Sequence, residues 1–315
     1  MHLAEKFHMP NTDKTVAKRE KEGIHVSVLK EELISGLDIK EKDIVLDCTI
    51  NGGGHSTEIL NRYKNITLIG LDQDQDALKR AEKNLPRKSK LVLSNFRNLD
   101  QALTKLEISR VNKVLFDLGL SSDQLEKSGR GFSFRIDEPL LMTLSNSPDE
   151  NTVTAHDVVN DWAEESIESI LRGFGEERFA RKIAEGIVKA RENGPIVSSL
   201  QLADVVKKSV PGSYRKGKIN PATKTFQAIR IAVNDEFGAL LEGLEKAWNF
   251  LEHEGRIGVI TFHSLEDRIV KQWMRAKSDA KIGKLVSKKP IAPERDEVIK
   301  NPRSRSAKLR IIEKI

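Results

Sequence analysis

One cysteine, Cys48, is all that 315 residues contain. That excludes an internal disulfide and any cysteine-built zinc cluster, and its place at the end of an apolar run predicts a buried thiol. No charged-then-apolar leader opens the chain, and no apolar run approaches the length of a membrane span. The expectation is a soluble, cytoplasmic protein with no membrane partner. What is present is ample: 38% of the residues are hydrophobic and 32% charged, enough for a full core in one large domain with an insertion, or in two domains. The 53 Lys and Arg against 47 Asp and Glu leave a net charge of +6, a mild lean towards a polyanionic partner.

Residues 1–23 are polar and aperiodic and read as a mobile tail. A short segment and helix lead from Ile24 to Leu37, and then apolar runs alternate with helical ones. Strands are expected at 43–48, 66–71, 90–94 and 112–117, with helices at 56–62, 75–84 and 98–106 between them. Three successive βαβ steps of this kind build a parallel sheet with right-handed crossovers. After Gln124 the alternation stops for about a hundred residues. Helical periodicity takes over, with Thr154 as a cap and Phe179, Ile183 and Ile187 on one face of a segment from Glu176 to Arg191. Its other faces carry Arg178, Arg181, Lys182, Lys189 and Arg191, which read as solvated. The sheet resumes with a fifth strand from Gly255 to Phe262. An apolar strand from Lys308 to Ile312 closes the chain, expected antiparallel at the sheet edge. The organisation that follows is a tail at 1–23, a core at 24–124, a helical insertion at 125–220, and the rest of the core at 221–315.

Within this frame the stretch Asp47-Cys-Thr-Ile-Asn-Gly-Gly-Gly-His-Ser is a strand end, a glycine turn and a helix start. Backbone N–H groups at such a helix start face whatever sits beyond the strand, so a nucleotide-like ligand is expected there. Asp72 ends the next strand, where a carboxylate takes two ribose hydroxyls. A dinucleotide fits poorly, since Thr57 stands where the fingerprint needs a third small residue and Asp47 adds negative charge where a pyrophosphate would lie. S-adenosylmethionine, whose amino acid end is cationic, suits both acids. The fourth strand ends in Asp117-Leu-Gly-Leu-Ser-Ser-Asp-Gln124, at the same edge, where a second substrate must approach the first. The loop Gly212-Ser-Tyr-Arg-Lys-Gly-Lys218 nearly spells a phosphate loop, but no strand leads into it and Ile219 lacks the hydroxyl for magnesium. It remains a basic loop. Asn220-Pro221 starts a helix to about Asn234, with Thr223, Gln227, Arg230 and Asn234 in one polar stripe. Ser264 and Asp267 read as a capping pair, leaving His263 at the carboxyl edge.

The blocks Asp47 to Ser56, Asp117 to Leu125, Arg130-Gly-Phe-Ser-Phe134, Gly175-Glu-Glu-Arg178, Asn220 to Glu236, Phe262 to Arg268 and Asn301 to Arg310 together resemble the RsmH (MraW) family. The likeness runs from Ile24 to the end. It implies a Rossmann-like, S-adenosylmethionine-dependent methyltransferase that modifies the N4 amine of a cytosine in the decoding centre of small-subunit rRNA. By the same likeness Gly53, Gly54, His55, Asp72, Phe96, Asp117 and Gln124 contact the cofactor. Asp117 is expected to hold the target amine and Phe132 or Phe134 to stack the base. Arg215, Lys216, Lys218, Arg303 and Arg305, from the two basic loops, would hold RNA, joined by Arg130, Arg230 and His263. The partner is the rRNA or the small ribosomal subunit, no metal is needed, and a homodimer stays open. One departure stands out: the family's Pro-Leu-Asp-Met-Arg-Met is here Pro139-Leu-Leu-Met-Thr-Leu144, which loses an acid and an arginine together and reads as a compensated swap. A non-catalytic ribosome-assembly factor and a methyltransferase for protein or small molecules remain as alternatives.

Overall fold

The computed structural model of the chain describes residues 27–315; the expected tail lies outside them. The alternation expected from the sequence appears as helix α1 (Lys30–Leu37), β1 (Ile44–Asp47), α2 (Gly54–Arg62), β2 (Thr67–Asp72), α3 (Gln75–Asn84), β3 (Lys90–Leu93), α4 (Leu99–Lys105) and β4 (Val111–Asp117). A short α5 (Ser122–Glu126) follows. The helical layer holds α6 (Ala155–Asp161), α7 (Glu164–Gly175), α8 (Ala180–Arg191), α9 (Ser199–Ser209) and the single turn α10 (Gly212–Arg215). Then come α11 (Ala222–Asn234), α12 (Glu236–Phe250), β5 (Leu251–Thr261), α13 (Ser264–Asp279), β6 (Gly283–Leu285), α14 (Arg295–Lys300) and β7 (Lys308–Lys314).

Among the described residues these strands make one seven-stranded sheet in the order β3-β2-β1-β4-β5-β7-β6. Strands β1 to β5 pair in parallel, and β7 runs antiparallel to both of its neighbours. This is a Rossmann-like sheet with the antiparallel strand that the sequence led one to expect. The last strand is not at the edge, as the sequence suggested: β6, too short to show a period, covers it with three residues. Each central strand feeds two cores, as a period of two requires. In β4, Val114 and Phe116 face α4, α12 and α13, while Leu115 faces α1, α2 and α3. All three are fully buried, and each such side chain contributes about 1.5–3 kcal/mol.

A third core lies in the helical layer and draws on Phe132, Leu140 and Met142 as well as α6 to α9. It continues past the expected boundary at 220, since Ala222, Phe226, Ala228 and Ile229 of α11 belong to it. Asn220 caps that helix through the Ala222 N–H at 2.9 Å, as expected. Glu266 rather than Asp267 completes the cap of α13: the chain enters the helix one residue early, so the His263 Nδ1 accepts the Glu266 N–H. Ser264 is left to bond Glu176, and Asp267 to hold Lys308 and Arg310.

Arg130 joins the helical layer to the sheet. Its side chain is buried, Nη2 donates to Asp74 at 2.7 Å, and Nη1 donates to the carbonyls of Thr143 and Leu144. The neighbouring Gly131 has φ +73°, and a Cβ there would come within 2.4 Å of the Pro139 carbonyl, so only glycine fits. Asn234 clasps the same strip, donating to the Met142 carbonyl and accepting the Leu144 N–H. Thr143 is 2% exposed and its hydroxyl has no partner, whereas Leu141 is half-buried. An arginine at 143 would bring a second guanidinium beside Arg130, whose carboxylate partner Asp74 is already engaged. Thr143→Arg alone should therefore cost about 3 kcal/mol in denaturant unfolding, and adding Leu141→Asp should recover part of it. Equal stability of the single and double variants would show that the two positions do not interact.

Candidate active site

Three carboxylates end three adjacent strands: Asp47 on β1, Asp72 on β2 and Asp117 on β4. Beyond them lies a cleft partly open to solvent. Asp72 and Asp117 line it; Asp47 does not. Asp47 is 1% exposed, accepts the Ser56 hydroxyl at 2.6 Å and the Thr49 N–H at 3.1 Å, and braces the turn from within. The sequence-based role for it, facing a cationic ligand, is corrected: the side chain points into the turn and away from the cleft. Burial raises its carboxyl to about 6.

The glycines have a similar structural explanation. Gly53 caps α2 in a left-handed conformation, φ 79°, hard against Leu85, and Gly54 packs against Ser27. His55 is buried, its Nε2 at 3.0 Å from the Val28 carbonyl and its Nδ1 at 3.6 Å from the Asp117 carboxylate. None of the three lines the cleft; the turn reaches it through Thr49 and Asn51 instead. Those two were missed, and each is legible in hindsight as a polar residue between a strand end and the glycines. Of the residues expected to contact a cofactor, Asp72, Phe96, Asp117 and Gln124 do line the cleft. Phe96 sits in a turn just after β3, its edge against Phe116 at 5.5 Å. Gln124 completes the cap of α5 with Ser121, which fixes its amide.

Asp117 is held on three sides. Its backbone N–H donates to the Thr49 hydroxyl at 2.7 Å, one carboxylate oxygen accepts the Gly119 N–H at 3.1 Å, and the other faces His55. The carboxylate is thereby aimed before any substrate arrives.

Across the cleft from β2 stand residues that the sequence reading singled out only in part. Arg230 grips Glu236 through two bonds of 2.7 and 2.9 Å. Asn234, Glu236, Phe237 and Glu266 complete that wall. The aromatic expectation is corrected here. Phe132 is 6% exposed inside the helical core, under Arg130, and Phe134 packs edge-on against Phe226. Neither lines the cleft, and the ring that does so on this side is Phe237. Arg130, buried with both η nitrogens engaged, is not offered to RNA, and His263 is spent as a helix cap. Arg215, Lys216, Lys218 and Arg305 are exposed. Arg303 is exposed as well, but it bonds Ser122 and Glu126 of α5.

The match to the MraW methylase family covers residues 22–315. The chain belongs to that family. Among curated relatives, a ribosomal RNA small subunit methyltransferase H from Sulfurihydrogenibium sp. is 45% identical over 290 residues, covering 91% of this chain and 98% of the relative. One from Clostridium botulinum is 42% identical over 310 residues, covering 92% and 99%. A solved rRNA methylase from Streptococcus thermophilus covers 91% of this chain and 93% of its own at 13% identity, with a TM-score of 0.40. Among the described residues no helix is long and apolar enough to cross a membrane.

Burial raises the Asp72 carboxyl from 3.8 to about 6, although it accepts the N–H groups of Asp74 and Asn51. The folded value lies above the unfolded one, so the native state takes up the proton first as pH falls. The charged group therefore costs stability above pH 6, by roughly 1–3 kcal/mol, and that cost is relieved between 6 and 4. Asp72→Asn, which has no charge to bury, should thus be at least as stable as the parent in thermal unfolding at pH 8 and lose ground against it as pH drops to 4.5. A difference that stays constant with pH would mean that Asp72 titrates normally.

Proposed function

We propose that the chain transfers a methyl group from S-adenosylmethionine to the exocyclic N4 amine of a cytosine in the decoding centre of small-subunit rRNA. The observation that carries this reading is the pre-aimed Asp117 carboxylate on the cleft floor, two strands over from Asp72. The curated relatives, named as small-subunit rRNA methyltransferases, support the same class of substrate.

The residues fit the cofactor. Asp72 is a half-buried acceptor for a ribose diol, Asn51 and Gln124 offer polar contacts, and Phe96 and Leu240 give an apolar wall for an adenine. Bound there, the cofactor supplies an electrophilic methyl group on sulfur. A cytosine amine is a weak nucleophile because its lone pair is delocalised into the ring. Asp117 accepts one of its N–H bonds, and the carbonyl of Leu118 or Gly119 accepts the other, which frees the lone pair for attack. The Leu118 N–H is tied to the Ile260 carbonyl at 3.0 Å, which anchors the start of this loop to β5. Alignment of this kind is worth roughly 7–11 kcal/mol.

RNA outside the cleft meets the exposed cations. Lys216 and Lys218 lie on the loop after α10, which Tyr214 anchors by donating to the buried Glu177 at 2.9 Å. Arg305 stands on the C-terminal loop that Arg303 ties to α5.

Methyl transfer from labelled S-adenosylmethionine to unmodified small subunits, naked rRNA and free cytidine tests the proposal. Transfer to the subunit or its rRNA is expected, with label on a cytosine N4. Asp117→Asn should lower turnover by about 100-fold with the fold intact. Label on protein, or none at all, overturns the reading. Replacing Lys216, Lys218 and Arg305 by Gln should flatten the slope of log affinity against log salt by about 2, at roughly 0.7 per single-strand phosphate contact. An unchanged slope would show that these cations are solvated and unused.

A further inference from the structure

The cleft has two halves, and the cofactor reading uses only one of them. Strand order sets the division: Asp72 and Phe96 follow β2 and β3 on one side, Asp117 follows β4 in the middle, and β5 lies beyond. Phe237 is on the β5 side, its ring 6.0 Å from the His263 ring at the end of that strand and edge-on to Phe174 of the helical layer at 5.4 Å. It opens α12, just after a break at Asp235, whose φ of 43° is left-handed. Glu236, next to it, fixes Arg230 through Nε and Nη2, and among the described residues Nη1 of Arg230 has no hydrogen-bond partner. One half-buried ring and one oriented donor thus line the same space as Asp117.

We propose, on the strength of the activity inferred above, that Phe237 is the surface on which the target base lies, with Arg230 held by Glu236 to read that base. A ring face binds any base by stacking. The donor adds selection: cytosine carries acceptors at O2 and N3, whereas uracil carries an N–H at N3 and no amine to methylate. Asp117 and Arg230 then face opposite hydrogen-bonding types on the same base, the amine donor and the ring acceptors. Glu236 is a positioning residue, since it acts on the base only through Arg230.

The test uses the full-length protein with small subunits as substrate and Phe237→Ala, Phe237→Tyr, Arg230→Lys and Glu236→Gln as variants. Phe237→Ala should raise KM for subunits or lower kcat by about 5- to 150-fold, the range for one lost stacking contact. Its affinity for S-adenosylmethionine should stay within about twofold of the parent, and Phe237→Tyr should retain most of the activity. Arg230→Lys and Glu236→Gln should narrow the preference for a cytidine-containing over a uridine-containing oligonucleotide, read by competition. Loss of cofactor affinity in Phe237→Ala, matching its loss of transfer, would place the ring in the cofactor half and overturn the proposal. Unchanged kinetics would do the same. If the parent protein transfers no methyl group to RNA, the activity reading fails by itself. Oligonucleotide binding to the cofactor-loaded protein then decides this one, by whether Phe237→Ala weakens it.

Discussion

A single buried guanidinium couples the two layers on which the cleft depends. Arg130 reaches from the helical layer to Asp74, two residues beyond the end of β2, and at the same time gathers the carbonyls of Thr143 and Leu144. Both members of the pair are nearly inaccessible to water, so removing either one strands the other charge, at a cost of about 3–5 kcal/mol. Leu144, one of the residues whose carbonyl it holds, lines the cleft, and its N–H is held by Asn234 on α11. The distance between the cofactor side and the opposite wall is therefore set in part by Arg130, a side chain that does not line the cleft.

The chemistry of the cleft grows from an arrangement that any parallel sheet offers and this one specialises. Carboxylates at adjacent strand ends repel each other, and the chain resolves this by giving each a different environment. Asp47 is turned inward and shares the Ser56 hydroxyl, Asp72 accepts two backbone N–H groups, and Asp117 lies against Gly119 and His55. Burial raises Asp47 and Asp72 to about 6. A carboxylate so destabilised gains when a ligand donates hydroxyl groups to it.

Most of the sheet was legible because apolar runs of four to seven residues, each ended by an acid or a turn, carry their own signal. Asp72 and Asp117 were found by their place at strand ends, without reference to packing. The departures share one cause: local pattern does not say which way a side chain turns. Phe132 and Arg130 sit in a glycine-flanked loop that looks exposed, yet the loop folds under the helical layer and both are buried. The three glycines and Asp47 read as ligand-facing, although the tight turn they make directs Thr49 and Asn51 outward instead. Phe237 gave no sign because its place on the cleft follows the left-handed break at Asp235, which any helical pattern reads through. The strand β6 left no period to detect, since three residues on a sheet edge need only follow β7.

The pairing of β4 with β5 sets Asp117 opposite Ile260, so the central seam of the sheet joins residues on either side of the whole helical layer. Loop closure over such a span is slow when the intervening chain is loose, though its entropy grows only with the logarithm of length. The helical layer has its own apolar core, in which α7 packs on both α8 and α11. It can therefore condense before the seam closes and shorten the gap that β5 must cross. The half of the cleft contributed by α11 and α12 would then be shaped early, and the Asp117 loop, which needs β5 to anchor Leu118, would be among the last parts to reach its final form.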